Sequence, residues 1–109
     1  MNVNQLLTVD GFNAVTVPSP EREINGVYIG DLLSWVMGRA SEDNAWITIM
    51  SNANIIAVAT LADVACIILA EGVALDEGVM EIAESKGINV ISSALSSYET
   101  AKALWGLGL

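Results

Sequence analysis

Histidine is absent from this 109-residue chain, cysteine occurs once, and lysine and arginine together occur four times. Without imidazole there is no Ser-His or Cys-His nucleophile pair, no histidine metal ligand and no ordinary general base for neutral pH. Cys66 has no partner for an internal disulfide. Its place in the apolar run Val64-Ala65-Cys66-Ile67-Ile68 is that of a small core residue in a reducing compartment. Arg22, Arg39, Lys86 and Lys102 are scattered among thirteen Asp and Glu, for a net charge of −9. Nothing here neutralises a run of phosphates, which argues against nucleic acid, and the same field repels anionic membranes.

Long apolar runs are missing too. Residues 55–70 come nearest, but they fall short of the roughly 20 residues of a bilayer span and carry Asp63. The start, Met1-Asn2-Val3-Asn4-Gln5, has no basic segment followed by an apolar core, so a cytoplasmic location is expected. Neither Lys86 nor Lys102 sits in a Gly-Lys-Ser or Gly-Lys-Thr turn, which removes the P-loop, and no Gly-x-Gly-x-x-Gly follows a strand.

Apolar material is abundant. At 53% of the residues, against a usual value of about 45–50%, it suffices for one core, and residues 1–109 are expected to form one domain. Ala45-Trp46-Ile47-Thr48-Ile49-Met50 has the β-branched and aromatic content of a strand. The polar group Ser51-Asn52-Ala53-Asn54 then offers caps for a helix over 55–62. Ala65-Cys66-Ile67-Ile68-Leu69-Ala70 is the unbroken apolar run of a parallel strand at the sheet centre, closed by Glu71-Gly72.

Asp76 is placed to cap a helix with Val79, Ile82, Ala83 and Lys86 along one face and Glu77, Glu81 and Glu84 toward water. Gly87 is set for its left-handed end. Ile88-Asn89-Val90-Ile91-Ser92-Ser93 is a third strand. Ser96-x-x-Glu99 opens a helix through Tyr98, Ala101, Leu104 and Trp105.

The first forty residues are less regular. They suggest a short helix around Val3, Leu6 and Leu7, a weak strand over 12–17, and a capped helix over 30–40 whose apolar surface is Leu32, Leu33, Trp35, Val36 and Met37. The fold class is α/β: a mainly parallel sheet with helices on its faces, built from βα units after residue 44.

Over nearly its whole length the chain resembles the small stand-alone DRTGG-domain proteins. The resemblance is carried by Gly30-Asp31-Leu32-Leu33-Ser34-Trp35-Val36-Met37-Gly38, Trp46-Ile47-Thr48, Asn54-Ile55-Ile56-Ala57-Val58-Ala59 and Ala65-Cys66-Ile67-Ile68-Leu69. Domains of this kind accompany CBS domains in some pyrophosphatases, so the resemblance implies an accessory or regulatory domain that pairs as a dimer. The chain departs from the family in the loop after Ile49, where the naming motif belongs. Met50-Ser51-Asn52-Ala53-Asn54 contains no Asp, Arg or Gly, and no histidine near Asn52.

In open parallel sheets ligands lie beyond the carboxyl ends of the strands. The candidate ligand-binding residues are therefore Ser51, Asn52, Asn54, Glu71, Gly72, Ser92 and Ser93, for a small metabolite, nucleotides included. Trp35, Met37, Trp46 and Trp105, with Tyr98, are candidate anchors for a homodimer or a larger protein partner. No catalytic residue, cofactor or metal ligand is expected. The alternatives are a dimeric scaffold without a ligand and, less favoured, a magnesium enzyme using Glu71, Asp76 and Glu77.

Overall fold

The computed structural model describes residues 1–109. Four parallel strands, β2 (Gly26–Ile29), β3 (Asn44–Thr48), β4 (Cys66–Leu69) and β5 (Val90–Ser93), and the antiparallel β1 (Phe12–Thr16) form one sheet in the order β1-β5-β4-β3-β2. β4 is central, with neighbours on both edges and helices over both faces, so every one of its side chains meets apolar surroundings. The βα series begins earlier than residue 44, because β2 already pairs in parallel with β3 through a crossover helix, α2 (Leu33–Arg39).

Alternation along the strands divides the core in two. Trp46, Ile67, Leu69 and Val90 point toward α2, α3 (Asn54–Ala62) and α4 (Val79–Ser85). Ala45, Ile47, Cys66, Ile68 and Ile91 point toward α1 (Val3–Leu6) and α5 (Ser97–Gly106). A period of two places successive residues on opposite faces, so both layers are filled from single apolar runs.

Three helices differ from their sequence reading. α2 begins at Leu33 with no side-chain cap. Asp31 is engaged elsewhere: its Oδ1 accepts from Thr48 Oγ1 at 2.8 Å and from the Ile49 amide at 2.9 Å, which fixes the end of β3. α4 begins after Gly78, held at φ 84°, and not at an Asp76 cap; of its expected apolar face Val79 and Ala83 are buried while Ile82 is exposed. In α5, Ser96 caps as expected, accepting from the Glu99 amide at 3.1 Å. Its buried residues, however, are Thr100 and Leu104, and Tyr98 and Trp105 are 73% and 79% exposed.

At the amino ends of the parallel strands, Asp43 and Asp63 both adopt left-handed backbone, at φ 66° and 57°, a conformation Asp tolerates better than most residues. Arg22 joins them. Its Nη2 donates to Asp43 Oδ1 at 2.9 Å, to Asp63 Oδ1 at 3.0 Å and to the Asp63 carbonyl at 2.7 Å. Partial burial works against the guanidinium charge, but the bonds to both carboxylates outweigh it and its pKa is raised. Arg22→Ala is expected to lower the unfolding free energy by about 2 kcal/mol, since charged hydrogen bonds are lost together and two aspartates lose their common cation. Arg22→Lys should recover less than half, lacking the planar fork. Urea denaturation measures both, and equal stability of Arg22→Ala and the parent would refute the clamp.

Candidate functional site

Past their carboxyl ends the strands β3, β4 and β5 lead into loops that meet at one edge of the sheet. Glu71 and Gly72, at φ 61° and 69°, are successive left-handed residues that turn the chain out of β4. The Glu71 amide donates to the Leu95 carbonyl at 2.8 Å, and the Gly72 amide to the Ser93 carbonyl at 2.9 Å. Residues 73–78 then arch over the ends of β5 and β1. Midway the arch is tied to the loop after β3, where Ser51 Oγ donates to Asp76 Oδ1 at 2.8 Å and the Asp76 amide donates to the Ser51 carbonyl at 3.0 Å.

Under the arch lies a cavity of about 490 Å³ lined by Asn13, Val15, Ser92, Ser93 and Ala94 from the strand side. Gly72 through Gly78, Met80 and Glu81 line it from the arch and α4. Its wall is mainly apolar, with Asn13 and Ser92 supplying neutral polar groups.

Of the seven residues proposed from sequence for a ligand, Gly72, Ser92 and Ser93 line this cavity, and Ser51 supports its arch. Ser93 points its side chain to the opposite face, where its hydroxyl shares a 2.8 Å hydrogen bond with Thr100 and accepts from the Leu95 amide. Asn52 and Asn54 lie outside: Asn52 Oδ1 accepts from the Asn54 amide at the start of α3. Glu71 is drawn to the α5 side, its Oε2 accepting from the Ser97 amide at 2.9 Å. Asn13, Val15 and the arch were not among the expected ligand residues, although Asp76 and Glu77 of the arch were named for the magnesium alternative; β1 reaches the site only through the antiparallel register that sets Asn13 opposite Ser92.

Trp46 needs correcting as an interface anchor. It is fully buried, and its Nε1 donates to the Gly30 carbonyl at 2.9 Å. Trp35, Met37 and Trp105 are exposed. Trp35 and Met37 stand on α2, which buries Val36 alone and leaves its N-cap Leu32 exposed; the Arg39 guanidinium stacks 3.8 Å from the Trp35 ring centre.

No three acidic, cysteine or histidine side chains come together as a metal site, and Glu71 and Asp76 are bonded to different loops. Burial pushes the Cys66 thiol from 9.0 up to about 12, with Arg22 pulling the other way. The protonated thiol is the form the fold favours. Its contribution is therefore complete below about pH 9 and is lost as pH rises toward about 12, by at most about 1.4 kcal/mol per pH unit. Native Cys66 should react with a disulfide reagent at pH 8 at least about a hundredfold more slowly than the urea-unfolded chain. Equal rates would show that β4 is not shielded.

No helix is long and apolar enough to cross a membrane. Residues 13–106 match the model of the DRTGG domain, and no curated protein matches the chain. The fold is similar to the crystal structure of the CBS and DRTGG domains of the regulatory region of Clostridium perfringens pyrophosphatase, which is complexed with its activator, diadenosine tetraphosphate. The TM-score is 0.70 at 17% identity, over 93% of this chain and 44% of that one. The chain thus spans less than half of that regulatory region.

Proposed function

The chain belongs to the DRTGG domain family, a family of regulatory domains, and from that premise we propose that it is a non-catalytic cytoplasmic regulatory domain binding a small ligand beneath the 73–78 arch. The observation that supports this reading is the cavity itself. Its volume of about 490 Å³ falls within the roughly 300–1,000 Å³ of small-molecule sites, and it lies at the strand ends where open α/β sheets bind ligands. The pyrophosphatase region is complexed with a nucleotide activator, so nucleotides are included in the panel beside other small metabolites. Regulation requires that occupancy alter something outside the cavity, and the Ser51–Asp76 tie connects the arch to the loop that opens α3.

A screen of nucleosides, nucleotides and small amines is expected to give at least one compound that raises the melting temperature, by mass action on the folded state. Ala94→Phe, a change at an exposed position on the cavity wall, should abolish that rise while leaving the unliganded melting temperature nearly unchanged. A rise that survives Ala94→Phe, or no rise with any compound, sinks the reading.

A second reading, as a homodimer or a subunit docked on a larger protein, is favoured by the exposed apolar surface of α2 at Leu32, Trp35 and Met37. Sedimentation should then give a mass above 11.5 kDa that falls on Trp35→Ser. A concentration-independent mass of 11.5 kDa rules out the homodimer.

A further inference from the structure

We propose that the ligand of the cavity under the arch is a small organic cation with an apolar body, and that phosphorylated compounds are rejected there. The inference rests on reading that cavity as the ligand site and concerns the class of compound it takes. Three carboxylate residues, Asp76, Glu77 and Glu81, line one side of it, and no lysine or arginine lines any part.

All four basic residues of the chain lie elsewhere. Arg22 is held by Asp43 and Asp63 at the opposite, amino ends of the parallel strands. Arg39 stacks on Trp35, Lys86 borders the groove between α3 and α4, and Lys102 lies on α5. None of the four lines the cavity.

Backbone amides do not make up for this. α4 opens onto the cavity, but it is seven residues long and carries Glu81 in its first turn, with Glu77 just before it. The positive end of its dipole is thus already balanced by side chains. Glu77 and Glu81 form no ion pair within the chain, whereas Asp76 accepts from Ser51. Two carboxylates therefore remain to pair with a guest ammonium or amidinium, while Val15, Val73, Leu75 and Met80 provide apolar wall for its body. A polyphosphate would meet these carboxylates inside a chain of net charge −9, where every added negative charge raises the cost of entry.

The test uses pairs of probes that share a body and differ in charge, namely phenethylamine with phenylacetate and tryptamine with indole-3-acetate, together with agmatine and ATP. Binding is followed through the backbone amide resonances of Gly72, Ser92 and Ala94. The amines are expected to shift these resonances and to bind at least about tenfold more tightly than their acid counterparts and ATP. Glu77→Gln combined with Glu81→Gln, both exposed positions, should weaken amine binding about tenfold and erase the preference. Acids or ATP shifting the same resonances as tightly as the amines would overturn the charge rule and leave the cavity as a ligand site. Shifts from none of the probes would overturn both. Amine binding unchanged in the double variant would refute the role of the two glutamates and the class with it.

Discussion

Trp46→Ala is expected to remove about 3–5 kcal/mol of stability, a large part of the about 5–15 kcal/mol that a domain possesses in total, and to leave much of the chain unfolded at room temperature. Trp46 is fully buried on β3, in register with Tyr28 on β2 and Ile67 on β4. The substitution opens a void in the core beneath α2 and α3, and it leaves the Gly30 carbonyl without its indole donor. That carbonyl immediately precedes Asp31, whose carboxylate fixes the end of β3 through Thr48 and Ile49, so the loss should reach the β2–α2 connection as well. Trp46→Phe retains most of the packing and should cost about 1–2 kcal/mol for the lost bond and the smaller ring. Urea denaturation followed by circular dichroism gives both values. If Trp46→Ala instead changed the oligomeric mass and left stability intact, the residue would be an interface anchor after all.

The contrast between Trp46 and Trp105 shows what patterning conveys and what it does not. Both are large aromatics in apolar neighbourhoods, and both were expected to serve as anchors. Trp46 belongs to a strand covered on both sides, whereas Trp105 falls on the outer side of α5, where Thr100 and Leu104, four residues apart, define the inward stripe. Thr100 is buried because Ser93 supplies its hydroxyl with a partner, and no local rule contains a partner seven residues away. The central strand was legible because a short unbroken apolar run, residues 65–70, closed by Glu71-Gly72 is what a parallel strand covered on both faces requires. The cavity was half legible. The carboxyl-end rule found Gly72, Ser92 and Ser93, but the opposing wall depends on β1 pairing with β5 across nearly eighty residues and on left-handed backbone at Glu71, a residue with no special preference for it.

The two edges of the sheet differ in how they are held. At the carboxyl edge the arch is fastened at its middle by Ser51 and Asp76, two partly solvated groups whose mutual bonds contribute little and break readily. An element of this kind lies at the low-stability end of a fold, where local opening and ligand capture are drawn from the same equilibrium. At the amino edge the bonding is dense, and it solves a problem of connection. β1 and β2 lie on opposite edges of the sheet, so residues 17–25 must cross its whole width with no ladder of their own.

Asn89→Ala is expected to cost about 3 kcal/mol, because it removes the fastening at the start of that crossing. Asn89 is 2% exposed. Its Oδ1 accepts from the Ser19 amide at 2.9 Å, and its Nδ2 donates to the carbonyls of Ser19 at 2.8 Å and Ala65 at 3.0 Å. Truncation therefore leaves the Ser19 amide and the Ala65 carbonyl without a partner, while the Ser19 carbonyl keeps only the Arg22 amide at 3.2 Å, and each such unsatisfied group costs about 1–3 kcal/mol. Asn89→Asp keeps the size but replaces the donor with oxygens that face both carbonyls, so it should be at least as destabilising as alanine. The Val3 and Asn4 amides donate to the Arg22 and Pro20 carbonyls in the same crossing, and α1 should therefore loosen with it. Amide hydrogen exchange is expected to show lost protection at residues 3, 4, 19 and 22 in Asn89→Ala, while the central amides of Ile68 and Leu69 stay slow under conditions where the variant is still folded. If protection fell equally everywhere, Asn89 would contribute to the global fold and not to the crossing.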